Sequence, residues 1–180
     1  MDDIKIKVEN DFDFKKIKMD FSHELNLIGG MIKKDIRTGI RVSREIDGGS
    51  MEKLHPFTIK EKGGITTPLM SEGVGTLSRV NKTRATRSKQ VVIITPAESR
   101  TQPLRGYPHG IAEVQQRGAT IRVTKKMRSY LHSRGLHLSK KTNVIRIPAR
   151  PWFGISKSVM RAIPKLFHKR IDMELKRAKL

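Results

Sequence analysis

The chain has no cysteine. That excludes disulfides, thiolate metal sites and a cysteine nucleophile, and it fits assembly in a reducing cytoplasm. Aromatics are scarce, with one Trp, two Tyr and six Phe in 180 residues. Proteins that hold single-stranded nucleic acid stack bases on aromatic platforms, so this chain is poorly equipped for that task. No apolar run reaches the ~18 residues that a membrane span requires. The opening MDDIKIKVEN lacks the apolar centre of a secretory signal. Acidic residues are the last scarcity: 38 Lys and Arg face 17 Asp and Glu, a formal charge of +21.

The imbalance is local. Residues 1–30 hold five basic and seven acidic side chains. Residues 76–149 hold sixteen basic and two acidic ones, Glu98 and Glu113, and residues 150–180 add nine basic against two acidic. Asymmetry of this kind points to a nucleic-acid or acidic-protein partner, with a solvated basic face as the plain alternative.

Hydrophobic periodicity predicts a single α+β domain over 1–180. Ile4, Ile6 and Val8 alternate with polar residues, which suits a short strand or extended arm within 1–12. Phe14, Ile17, Phe21, Leu25, Ile28, Ile32 and Ile36 then recur at helical spacing, predicting a long N-terminal helix capped by Asp11 or Asp13. Gly29-Gly30 should weaken or bend it. Residues 39–72 read as a long ordered loop, punctuated by Asp47-Gly48-Gly49, His55-Pro56 and Gly63-Gly64. That loop and 96–106 are long enough to need a partner's contacts. An extended hairpin follows, from Thr76–Arg84 to Val91–Thr95, with Lys82, Arg84, Arg87 and Lys89 at its tip. These four either face DNA or a partner, or simply discourage edge-to-edge pairing. A short helix runs from Ile111 to Gly118, and a strand holds Ile121 and Val123. Thr124 caps a helix from Lys125 to Ser133, and Leu136–Ile147 returns to strand, for an antiparallel sheet of about four strands. A C-terminal helix starts after Ser156, with Val159, Ile163, Phe167, Ile171 and Leu175 on one stripe. Pro164 within it predicts a kink or a division in two.

Two segments carry more specific wording. In IPARPWFGIS, Ile147 ends a strand and Pro148 and Pro151 fix extended backbone around Ala149 and Arg150. Trp152 and Phe153 form a large apolar anchor, Gly154 permits a change of direction, and Ser156 can cap a helix. This segment resembles the I-P-A-R-P-[FW]-[FL]-G-[IL]-S signature of the phage virion morphogenesis family. These are the Mu-like neck or tail-completion proteins of tailed bacteriophages. In YPHGIAEVQQRG, the residues Tyr107, Ala112, Gln116 and Gly118 resemble a second element of that family, Gln116 standing where histidine is frequent. Gly39-Ile40, Asp47-Gly48, Leu54, Thr58, Lys60 and Pro68-Leu69 are similar to its weaker landmarks.

The resemblance implies a structural virion protein of the neck or tail top, assembled in the bacterial host cytoplasm. It implies a ring, usually hexameric, of copies of the chain. The ring would sit between the head-side connector or stopper and the tail terminator or tube, around the path of the genomic DNA. A sequence-independent double-stranded DNA-binding protein and an assembly chaperone are the alternatives. Neither a cofactor, nor a metal, nor a membrane is expected. No catalytic residues are expected either: Gly63-Gly64 and Gly73-Val74-Gly75 lack the Lys-Ser/Thr that completes a phosphate loop. His132 and His137 are not at zinc-ligand spacing on one helix face. Asp35, Glu45, Asp47 and Glu52 read as loop polarity.

Overall fold

An apolar stripe decides where the first helix lies. The computed structural model describes residues 4–7, 19–69, 77, 79–96 and 110–177. In it α1 runs from Ser22 to Arg41. Phe21, Leu25, Ile28, Ile32, Ile36 and Ile40 all lie in the core. The predicted stripe is therefore real but displaced. Gly39 and Ile40 belong to the helix rather than to the loop, and Phe14, Ile17, Asp11 and Asp13 fall outside the described residues. At the start of α1 it is Asp20 whose Oδ1 accepts a hydrogen bond from Ser22 N, at 2.9 Å. That backbone hydrogen bond, foremost, holds the Asp20 carboxyl below its usual pKa.

Strand β3 (Val91–Pro96) lies against α1, with Val92 and Ile94 fully buried. It is the centre of a three-stranded antiparallel sheet ordered β1-β3-β2, where β1 is Ile4–Lys7 and β2 is Val80–Lys82. Ile4 and Ile6 stand opposite Ile94 and Val92, so the N-terminal strand completes the β-branched face. The predicted hairpin is present as β2–β3.

The single sheet of about four strands is not. After α2 (Pro56–Glu61), within the predicted long loop, and α3 (Ile111–Arg117), a separate ribbon pairs β4 (Ala119–Arg122) with β5 (Val144–Ile147). Helix α4 (Lys125–Ser133) connects them, capped by Thr124, whose Oγ1 accepts from Met127 N. The predicted strand over Leu136–Asn143 does not form. Arg128 donates to the carbonyl oxygens of Leu138, Ser139 and Thr142, so these acceptors are satisfied without a ladder. The closing helix α5 (Lys157–Arg177) passes through Pro164 without dividing. Pro164 is exposed, where water can serve the carbonyl group that the ring leaves without a donor. Val159 is buried, Ile163, Phe167 and Ile171 pack on the core, and Phe167 meets Phe21 edge to face at 5.2 Å. Leu175, the last of the predicted stripe, is exposed.

The paired glycines of α1 have different reasons to exist. A Cβ on Gly29 would stand 2.6 Å from Val92 Cγ1, so only glycine lets β3 approach the helix this closely. A Cβ on Gly30 would meet nothing within 4 Å. Gly29→Ala is therefore expected to lower unfolding free energy by about 1–3 kcal/mol through overpacking. Gly30→Ala should raise it by about 0.5–1 kcal/mol through helix propensity. Urea midpoints of the two variants at unchanged slope are the check, and equal shifts would contradict this assignment.

Candidate functional site

The two segments singled out by their wording meet in space. Strand β5 ends at Ile147, and the chain passes Pro148 and Ala149 to Arg150, whose backbone N–H donates to Gln115 O at 2.7 Å. Pro151 O accepts from Ile46 N, also at 2.7 Å, which ties in the segment after α1. The next two residues are gripped by one amide. Gln116 Oε1 accepts from both Trp152 N and Phe153 N at 3.0 Å, and Gln116 Nε2 donates to Phe153 O at 3.0 Å. A carboxamide can do this because its oxygen has two lone pairs and its nitrogen two protons.

Trp152 is 1% exposed, and its indole N–H donates to Ala112 O at 3.3 Å. Ala112 is itself fully buried. Phe153 lies against Trp152 with ring centroids 5.4 Å apart. Gly154 gives Ile46 room, and Ser156 Oγ caps α5 by accepting from Val159 N. Gly118 has φ 73° and ψ 174°, a region essentially reserved for glycine. A Cβ there would stand 2.8 Å from both Ile147 O and Ala149 N. Tyr107 lies outside the described residues.

Charge enters this anchor in an unusual form. Arg150 is 3% exposed, and its guanidinium donates to Glu52 O at 3.0 Å and to Gln115 Oε1 at 3.1 Å. Burial pushes its pKa down, and the Glu52 carboxylate nearby works in the opposite direction. Lys62 Nζ donates to the carbonyl oxygens of Thr67 and Pro68. Its pKa is lowered by burial first and by Arg150 second. Both cations thus bind main-chain oxygens from the segment between α1 and β2, ordering part of what was predicted as a long loop. An open concavity of about 570 Å³ lies beside the anchor, where Glu52, Arg117 and Arg146 share the wall with Pro148 and Ala149.

The hairpin tip is divided. Arg84, Arg87 and Lys89 are exposed, whereas Lys82 lies over Gly29 and its Nζ donates to Asn26 O at 3.3 Å. Lys82 thus serves packing between β2 and α1. Two amides fasten the same hairpin. Asn26 exchanges hydrogen bonds with both backbone groups of Ala85, and Gln90 bonds Phe21 N and Met19 O. Sequence reasoning named neither, since an Asn or Gln gives no sign of which backbone it will meet. The His132 and His137 rings meet edge to face at 4.2 Å. Among the described residues no group of three or more His, Asp or Glu is placed to hold a metal ion, and no helix is long and apolar enough to cross a membrane.

Compared with protein-family models, with curated proteins and with solved structures, the chain gave no match in any of the three. The anchor's chemistry is that of a joint: the side chains of Gln116, Trp152 and Arg150 donate to or accept from the other segment or its backbone. Trp152→Ala is expected to cost about 3–5 kcal/mol. Gln116→Ala should cost about 1–3 kcal/mol by orphaning the Trp152 and Phe153 N–H groups. Gly118→Ala should cost more than the ~1–3 kcal/mol of backbone strain, because its Cβ would also press on Ile147 O and Ala149 N. Chemical denaturation ranks the three, and a neutral Gln116→Ala would show that the Gln116 clamp does not stabilise the anchor.

Proposed function

We propose that the chain is a structural subunit of a tailed-phage neck or tail top. It assembles as a ring, hexameric in the form its resemblance implies, between the head-side connector or stopper and the tail terminator or tube. Genomic DNA passes through the ring. The observation that carries the reading is the meeting of the two motif segments. Gln116 and Ala112 of one hold Trp152 and Phe153 of the other. Four of the residues that resemble the phage virion morphogenesis family, Ala112, Gln116, Trp152 and Phe153, therefore belong to one joint. The charge supports the same reading, since a basic surface attracts phosphates without reading their sequence. The mechanism is assembly: the subunit supplies shape, edges and charge, and no covalent step.

A second reading, a free-standing duplex-binding protein, draws on the same charge. Particle composition separates the two. The neck reading expects the chain in purified virions at the copy number of one ring. Its loss should leave filled heads and finished tails unjoined. A chain missing from virions, monomeric or dimeric alone, and selective among duplex sequences by about a thousandfold or more would overturn it.

A further inference from the structure

From Ala119 to Ala149 not one residue is buried. None of them belongs to the core or packs against it. This span, β4–α4–β5, leaves the anchor at Gly118 and returns to it at Pro148, with a described tether from Arg134 to Glu61 at 3.8 Å. A two-stranded ribbon is marginal by itself, so a projection of this kind gains from a surface to lie on.

Its composition is extreme. The span contains no Asp or Glu. Of its cations, Arg128 is occupied by three carbonyl oxygens and Arg134 by Glu61 and the Tyr130 ring. The other six are Arg122, Lys125, Lys126, Lys140, Lys141 and Arg146. All are exposed, and none has a partner among the described residues.

The register sorts the ribbon's faces. Residues directly opposite in an antiparallel pair share a face. Thr120 stands opposite Arg146, and Arg122 opposite Val144, so these four form one face, and all four are exposed. Ala119, Ile121, Ile145 and Ile147 form the other face, which is half-buried. Lys125 and Lys126 follow the outer end of β4, and Lys140 and Lys141 lie in the turn before β5.

We infer that the β4–α4–β5 projection is the surface through which this protein holds duplex DNA, by its phosphates and without sequence preference. A two-stranded ribbon fits the major groove of a duplex. Four of the six unpaired cations are lysines, which act on phosphate as point charges and lack the planar fork that reads bases. An acidic protein is the competing occupant. Protein interfaces, however, are depleted of lysine and centred on apolar residues. The outward ribbon face offers Val144 alone. The inference takes duplex DNA from the proposed function and moves its contact from the hairpin tip to this projection.

The test is fluorescence anisotropy of a labelled mixed-sequence duplex across a salt series. The quadruple variant K125Q/K126Q/K140Q/K141Q is compared with K33Q/K34Q/R37Q/R41Q, which removes equal charge from the outer face of α1. The projection variant should lower the log–log salt slope by about 3–4, near 0.9 per lost phosphate contact, and weaken binding more than about tenfold at physiological salt. The α1 variant should change the slope by less than about 1. Circular dichroism verifies folding. If the quadruple variant misfolds, K140E/K141E, confined to an exposed turn, replaces it with an expected slope change of about 2 or more. Equal losses in both surfaces, an unchanged slope, or no salt-dependent binding by the wild type would overturn the inference. So would displacement of the duplex by poly-glutamate at lower charge concentration than by unlabelled duplex, which would assign the surface to an acidic protein. These outcomes are independent of virion composition, so this inference and the neck reading can fail separately.

Discussion

One carboxamide, that of Gln116, determines how two distant parts of the chain are joined. The turn at Trp152–Phe153 presents two adjacent N–H donors inside a packed region, where a donor without a partner costs about 1–3 kcal/mol. Regular structure does not serve them, because Pro151 precedes the turn and, among the described residues, no strand runs alongside it. A side chain with an acceptor that takes two protons and a donor that returns one fills that need. The same solution recurs at Asn26 against Ala85 and at Gln90 against Met19 and Phe21. At these three places an amide serves backbone groups that elsewhere a neighbouring strand would serve.

Around these joints the core is layered simply. Helix α1 packs against both the β1–β3–β2 sheet and α5, through a buried stripe that continues to Ile40. Gly29 sets the distance to the sheet, since any side chain there would push β3 away. The edge-to-face contact of Phe21 with Phe167 joins the start of α1 to α5. Arg150 and Lys62 extend the joint outward by donating to main-chain oxygens, which is why the segment after α1 is ordered with so little regular structure.

Periodic features were legible in the sequence. The stripe of α1, the β-branched run of β3, the Thr124 cap, the Gly118 stop and the burial of Trp152 all rest on residues whose chemistry acts locally. The misreadings came where the competing partner was distant. Leu136 and Leu138 alternate with polar residues as a strand would, but Arg128, on the preceding helix, takes carbonyl oxygens of Leu138, Ser139 and Thr142 that a ladder would use. Lys82 looked like a tip charge because nothing nearby in sequence revealed Gly29 beneath it. The division into two sheets was equally hidden: β3 already has a neighbour on each edge, a fact of topology rather than of pattern. Of the candidate site, the anchor residues were identifiable by wording, whereas the role of Gln116 and the isolation of the β4–α4–β5 span were not.

That isolation has an evolutionary consequence. A substitution in the core is filtered first by whether the chain still folds, and only then by what the protein does. Between Ala119 and Ala149 the first filter is weaker, because no side chain there belongs to the core or packs against it. The span is free to drift faster than the core, while Gly118 and the Trp152 joint keep its two ends together. Lineages could therefore exchange one projection for another without redesigning the body that carries it.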